Sequence, residues 1–305
     1  MFRDVAGQAR GLGTAPLGSS EDGPLWWGPQ DHTVAVETVL AAIDAGAAFI
    51  DTAPFYGWGR AERVVGEALA RTSHRPPVYT KCGTIRRGDS WLDDASPTAI
   101  RADVLASLDR LGLDRLDVVQ VHDPDPSTPI EVTWEALMTL ADDGLIGGAG
   151  LSNHDPDLMT RALSVGPVAV VQQQYSLLHR TPEGDGTITW CQDRSVPFLA
   201  WSPLASGFLA SGFHINELHP TDLRRQLPWA STPKRTTQQV TVWADTVAAR
   251  LGVQRQDVAV SWLEDRGASP IIGARTPVET QLIGQPHTDL AQVDLDTLPD
   301  ITERS

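Results

Sequence analysis

At 305 residues, with 41% apolar and 21% charged residues, the chain has the length for one large barrel-type domain or two smaller ones and the composition of a soluble globular enzyme. Its 24 Lys and Arg against 39 Asp and Glu leave a net charge of −15 with no basic cluster, which argues against nucleic acid or an anionic membrane surface as partner. Two cysteines, Cys82 and Cys191, are too few for a disulfide framework, the opening MFRDVAGQAR has no apolar leader core, and no run reaches transmembrane length, so a cytoplasmic protein is expected.

Strand-like apolar runs alternate with helix-like stretches along the chain. In order, the strands are expected at Gly11–Leu17, Phe49–Thr52, Val78–Cys82, Leu116–His122, Gly147–Ser152, Ala169–Gln174, Phe198–Ser202 and Pro270–Gly273. Amphipathic segments lie between them at Thr33–Ala45, Ala61–Arg71, Pro97–Leu111, Pro129–Asp143 and Asp155–Val165. Ser96-Pro97 and Thr128-Pro129 each set an N-cap hydroxyl before an N1 proline, and Gly112, Gly144 and Gly166 follow helix ends.

Eight strand–helix alternations in about 300 residues predict a single α/β domain spanning 1–305, a closed (β/α)8 TIM barrel of parallel strands. Gly11-Leu12-Gly13-Thr14 lacks a third glycine and leads into Ala15-Pro16 rather than a helix, so it is no dinucleotide fingerprint of the Rossmann type. One segment breaks the rhythm. Ala205–Arg235, rich in Gly, Pro and Ser, is a long loop after strand seven of the kind that often serves as a lid.

In such a barrel the C-terminal strand ends share one mouth, where the chemistry sits. Asp51 and Tyr56 follow strand two, Lys81 ends strand three and His122 ends strand four. Taken alone, Asp51 is an ordinary cap or ion-pair partner, Lys81 a snorkelling side chain and His122 the start of a turn. Together the four suit proton transfer to a carbonyl oxygen: Lys81, paired with Asp51, is expected to lower the pKa of Tyr56, and His122 to orient or polarise the carbonyl.

The stretches DTAPFYGWGRAERVVGEAL, YTKCG, SLDRLGLDRLDVVQVHDPD, GLSN, VVQQQYSLL, WSPLASG and PIIGAR, taken in order over nearly the whole chain, resemble the aldo-keto reductase superfamily. The resemblance implies hydride transfer from a nicotinamide cofactor, with Asp51, Tyr56, Lys81 and His122 as the tetrad and Tyr56 as proton donor, and with no metal. It assigns the carboxamide to Ser152, Asn153 and Gln172, the nicotinamide face to Trp201, and the pyrophosphate to Ser202, Leu204 and Ser206. Gly13 and Thr14 join the cofactor side. Gly273, Ala274 and Arg275 match the adenosine-phosphate segment, where Arg275 favours NADP(H), with NAD(H) as the second possibility. Two departures stand out: Glu279 and Ile283 occupy positions where the family carries Gln or Arg and then Asn, leaving Gln281 to substitute only if the register shifts. The N-terminal hairpin is also short, with only Met1–Arg10 before the first strand.

Of ten tryptophans, Trp134, Trp190, Trp243 and Trp262 read as helix-face core residues. Trp26, Trp27, Trp58, Trp91 and Trp229 fall in mouth loops, and of these Trp27, Trp58, Trp91 and Trp229 are expected to line the substrate pocket. Aromatic walls suit a cyclic, sugar-derived carbonyl substrate. Three alternatives remain open: an aldose dehydrogenase running oxidatively, a cofactor-binding regulatory subunit of the potassium-channel β type, and a Schiff-base aldolase with Lys81 as nucleophile. Neither the oligomeric state nor the individual substrate is legible.

Overall fold

Parallel strands close into a barrel in the computed structural model, which describes residues 9–301 apart from 22, 24, 89 and 228–234. The strands are β1 (Gly11–Gly13), β2 (Ile50–Asp51), β3 (Val78–Cys82), β4 (Thr84–Arg87), β5 (Ser90–Asp93), β6 (Val118–Val121), β7 (Ala149–Ser152), β8 (Val170–Gln174), β9 (Phe198–Trp201) and β10 (Ala268–Gly273). Eight of them form the barrel in the order β1-β10-β9-β8-β7-β6-β3-β2, the (β/α)8 arrangement expected. Helices α1 (His32–Asp44), α2 (Arg60–Ala70), α3 (Pro97–Leu111), α4 (Ile130–Asp142) and α5 (Pro156–Val165) pack outside it, followed later by the helices Arg235–Leu251 and Arg255–Glu264.

Several boundaries differ from the sequence expectation. The first strand ends at Gly13, because Pro16 cannot donate to a ladder and the chain turns into a 3-10 segment over Ala15–Gly18. The fourth barrel strand is trimmed to Val118–Val121, with Leu116 making only an isolated bridge to Ile146. An unexpected antiparallel hairpin, β4–β5, leaves the barrel directly after β3 and carries Trp91. Ser96 caps α3 by accepting from the Ala99 N–H, but Thr128 does not cap α4, whose N-cap position is Pro129. Gly112 takes the left-handed conformation past α3 (φ 65°), whereas Gly166 past α5 is extended.

The barrel interior is built in layers. Phe49, Tyr79, Val118, Val170, Leu199 and Ile271 form a buried apolar plug, with the Phe49 and Tyr79 rings stacked at 5.0 Å. Gly11 makes room for it, since a Cβ there would run into the Phe49 ring. One pleat step further along each strand, the period of two puts Lys81, Gln120, Gln172 and Trp201 on the same inward face. Register sets Lys81 beside Gln120, and the Gln172 amide donates to Gln120 Oε1 at 3.2 Å. A polar layer therefore sits on an apolar floor, at the C-terminal end of the strands. Trp134, Trp190, Trp243 and Trp262 are buried between helices and barrel, as core residues.

Candidate active site

Asp51 ends β2, the shortest strand of the barrel, and is buried with Lys81. The Lys81 Nζ donates to Asp51 Oδ1 at 2.6 Å, to the Thr52 carbonyl at 3.1 Å and to the Tyr56 hydroxyl at 3.2 Å. The other Asp51 oxygen accepts from Gln172 Nε2 at 2.8 Å and Gln120 Nε2 at 3.3 Å. A buried carboxylate and ammonium are thus neutralised and hydrogen-bonded together, the condition under which such a pair survives out of water. Asp51 and Tyr56 hold the Lys81 ammonium above its ordinary pKa despite burial. That excludes the free amine a Schiff-base aldolase would need.

Tyr56 is aimed by a strained turn. Gly57, Trp58 and Gly59 all have positive φ (63°, 51° and 84°), and a Cβ on Gly57 would collide with the Gly18 carbonyl. For Trp58, a bulky residue, this conformation is a true outlier of the kind that gathers at functional sites. It sets the Trp58 ring edge-on to Phe55 at 5.6 Å, and the same Phe55 ring meets Trp91 at 5.3 Å and His122 at 5.7 Å. Trp58 and Trp91 are thus brought together on Phe55, whose ring also meets the imidazole.

The Tyr56 phenol departs from expectation. Lys81 draws its pKa down, but burial is the larger effect and, with Asp51 and Asp123, leaves it raised above 10. The His122 ring stands edge-on to Tyr56 at 6.0 Å between centroids. Burial, reinforced by Lys81, drives its pKa well below 6.5, so the imidazole is neutral and carries one N–H donor. The mouth thus presents a protonated phenol and a neutral imidazole.

Around this centre lie the residues assigned to a dinucleotide, and several properties fit one. Ser152 Oγ is buried without a partner among the described residues. Asn153, at φ 60°, donates to the His122 carbonyl at 3.2 Å and to Asp123 Oδ1 at 2.8 Å, while its Oδ1 accepts the Trp201 indole N–H at 3.0 Å. That bond fixes the Trp201 ring at the rim. Beyond it Ser202, Ala205 and Ser206 all have positive φ, and Ser202 Oγ accepts from the Ser206 N–H at 3.0 Å. Leu204 packs on the core beneath this loop. Gly13 pairs with both Asp51 and Gly273, and the Thr14 hydroxyl donates to the Asp51 carbonyl. Ala274 is buried and Gln172 serves Asp51 directly.

The adenosine end is less regular. Arg275 donates to the carbonyls of Gly28 and Pro29 and to Gln30 Oε1, so its guanidinium straps the loop after β1. Burial and the neighbouring Arg224 lower its pKa from the usual guanidinium value. The Glu279 carboxylate accepts the Arg275 N–H at 2.6 Å. Residues 277–284 form a 3-10 run in which Ile283 is buried and Gln281 is exposed, away from any hydrogen bond among the described residues. Trp27 lies under Arg224 (5.3 Å), between the loop after β1 and the long loop after β9, whereas Trp229 and Met1–Gln8 lie outside the described residues. Those two loops clasp each other: Trp26 Nε1 donates to Thr221 Oγ1 and the Leu223 N–H to the Trp26 carbonyl.

Three participants escape the sequence reading. Gln120 is a buried amide in an apolar strand, VVQV, and that anomaly was its signal. Asp123 follows His122 and is held by Asn153; only HDPD hinted at it. Asp103 accepts the Gly83 N–H at 2.8 Å and so pins the end of β3 behind Lys81.

A family model described as "Aldo/keto reductase family" matches residues 11–283. The chain belongs to the aldo/keto reductase family. It is 34% identical over 240 residues to an NADH-specific methylglyoxal reductase of Escherichia coli, covering 74% of this chain and 72% of that protein. Among solved structures, a glycerol dehydrogenase from Gluconobacter oxydans superposes with TM-score 0.86 at 31% identity, over 96% of this chain and 91% of the other. An aldo-keto reductase from Klebsiella pneumoniae in complex with NADPH superposes with TM-score 0.70 at 25% identity, covering 95% and 89%. This aldo-keto reductase is therefore an NAD(P)H-dependent oxidoreductase acting on small carbonyl compounds. Among the described residues, no helix is long and apolar enough to cross a membrane.

Proposed function

We propose that Tyr56 is the proton donor of a carbonyl reductase, and that Asp51, Lys81 and His122 prepare it. The observation that carries this reading is the chain of contacts from Asp51 through Lys81 Nζ to the Tyr56 hydroxyl, at 2.6 and 3.2 Å, with a neutral imidazole edge-on to the phenol. The nicotinamide, when bound, supplies the hydride. The Tyr56 O–H gives its proton to the carbonyl oxygen as negative charge builds there, and the phenolate left behind faces the Lys81 ammonium, already paid for by Asp51. Burial that raises the phenol's pKa keeps it protonated until that moment, and the His122 N–H donates to the same oxygen and orients it. Ser152 and Asn153 would hold the carboxamide, Trp201 the nicotinamide face, and the Ser202–Ser206 loop the pyrophosphate.

NADPH is the favoured cofactor, because Arg275 keeps one guanidinium nitrogen, Nη1, outside its loop contacts. NADH remains the second, given the Glu279 carboxylate beside that arginine and the relative named NADH-specific. The wall of Phe55, Trp58 and Trp91 supports a flat or cyclic, sugar-derived substrate. The same groups work in reverse, which matters because one structural relative is a glycerol dehydrogenase. The test is steady-state oxidation of NADPH and NADH with a panel of ketones, aldehydes and keto-sugars. Tight cofactor binding with no turnover on any of them would overturn the reading.

A further inference from the structure

Asp123 gives no atom to the proton transfer above, yet it stands in the mouth. It follows His122 directly, and its charge reaches both Tyr56 and Lys81. One oxygen accepts from Asn153 Nδ2 at 2.8 Å. The other, Oδ2, has no donor among the described residues, although the carboxylate is half-buried. Burial is the largest influence on the group and Asp93 adds a like charge; together they outweigh the Asn153 bond and the Lys81 charge and carry its pKa up to about 6. A partly desolvated carboxylate whose second oxygen is open at the mouth is well placed to accept from a donor arriving with the substrate. The imidazole beside it belongs to an aromatic cluster in which Phe55 meets Trp58, Trp91 and His122.

Resting on the reductase reading of this site, we infer that Asp123 is a specificity residue: its Oδ2 accepts a hydroxyl on the carbon next to the substrate carbonyl, so the enzyme prefers hydroxylated ketones and aldehydes over their plain alkyl counterparts. The Asp123 carboxylate is close enough to Tyr56 and Lys81 for its charge to act on both, so a carbonyl held between the phenol and the imidazole has its neighbouring carbon in the same mouth as Asp123. A hydroxyl is favoured over an ammonium because the site already holds two cations on this side. Arg86 stacks over the Trp58 ring at 5.3 Å and Lys81 lies within the tetrad, so a cationic substrate would meet like charge.

The test uses a matched pair of substrates, hydroxyacetone and 2-butanone, which differ by a hydroxyl in place of a methyl group. The wild type is expected to favour hydroxyacetone in kcat/KM by about ten- to a hundred-fold, the range of a hydrogen bond to a charged acceptor. Asp123→Ala should bring that ratio near one, with hydroxyacetone losing far more in kcat/KM than 2-butanone. Asp123→Asn is the nearly isosteric control for folding: its carbonyl can still accept from Asn153, but an amide N–H₂ faces the mouth, so the preference should fall in that variant too. If the preference survives in both variants, the inference is wrong. It is equally wrong if both ketones and the cofactor Kd worsen together, which would mark Asp123 as a positioning residue for Asn153, or if aminoacetone is reduced in preference to hydroxyacetone. Binding provides a readout independent of turnover: with NADP+ present, glycerol should quench tryptophan fluorescence at lower concentration than 1-propanol in the wild type and not in Asp123→Ala. Failure of the underlying reductase reading looks different, since neither ketone would then be reduced by any form of the protein.

Discussion

The Lys81 ammonium donates to the Tyr56 hydroxyl at 3.2 Å, and the phenol nonetheless titrates above its ordinary value. The contact and the shift point in opposite directions because they measure different things. Burial penalises the phenolate in the resting site more than one cation relieves it. On the proposed mechanism the proton would leave during reduction as charge develops on the substrate oxygen, and the same cation would then stabilise the phenolate where it forms. A raised pKa with a cation at hydrogen-bond distance describes a donor that stays loaded and discharges only to the reacting oxygen.

Tyr56→Phe should therefore lower kcat for carbonyl reduction by roughly 10²–10⁴, the range for removing a positioned general acid. The ring, its edge-on contact with His122 and its place over Lys81 are kept, and the cofactor Kd should move little. Stopped-flow measurement of NADPH oxidation in a single turnover separates this loss from any change in product release. Turnover near that of the wild type would show that another group gives the proton.

The buried Asp51–Lys81 pair makes a second prediction. Lys81→Met strips Asp51 of its cation and leaves two glutamine amides, from Gln120 and Gln172, as its remaining side-chain donors. An uncompensated buried charge costs about 3–5 kcal/mol, so the variant should unfold at clearly lower urea concentration. Asp51→Asn combined with Lys81→Met removes the charge as well and should recover part of that loss, while neither variant is active. Urea titrations followed by far-UV circular dichroism give the comparison. A double variant no more stable than Lys81→Met alone would contradict it.

Local signals made the barrel and the tetrad legible. Each strand is an apolar run bounded by polar punctuation, and Asp51, Lys81 and His122 stand at or just beyond strand ends, with Tyr56 in the turn after β2. What was hidden depends on three-dimensional burial or on partners distant in sequence. The sign of the Tyr56 shift is one case, since burial in the folded barrel outweighs the Lys81 charge. Asp123 is another, because its partner Asn153 lies 30 residues away on the next strand end. Arg275 is a third: its guanidinium is taken up by Gly28, Pro29 and Gln30, about 245 residues earlier. The β4–β5 hairpin escaped because TIRRGDSWLD is short, polar and half exposed, with too little alternation to stand out.

Asp103 carries a stability prediction with a definite sign. Burial raises its carboxyl from 3.8 to about 6, outweighing the Gly83 N–H and Arg110, with Glu62 and Asp94 adding like charge. The folded chain therefore binds more protons than the unfolded chain between pH 4 and 6, and this group's contribution falls as pH rises through that window. Above pH 6 the cost is fully present. Asp103→Asn keeps an acceptor for the Gly83 N–H and removes the charge, so it should stabilise the protein by on the order of 1 kcal/mol at pH 7.5 and by almost nothing at pH 4. Thermal unfolding of both proteins at the two pH values checks the sign. A variant less stable than the wild type at pH 7.5 would show that the ionised form is what holds β3.

Arg275 has two jobs to separate. Its Nε and Nη2 hold the loop after β1, and its remaining Nη1 is the nitrogen available to a 2′-phosphate. If it reads the phosphate, Arg275→Ala should weaken NADPH binding about tenfold or more while weakening NADH much less, because a charge-assisted contact is lost only with the phosphorylated cofactor. If strapping is its whole role, both cofactors suffer equally through the loosened loop. Gln30→Ala isolates the strap: it removes the Oε1 acceptor and the Nε2 donor to the Arg275 carbonyl while keeping the guanidinium. That variant should weaken both cofactors alike, by a smaller factor. Fluorescence titrations with NADPH and NADH on the three proteins decide between the two roles, and equal losses in Arg275→Ala would leave cofactor choice to Glu279 and the residues around it.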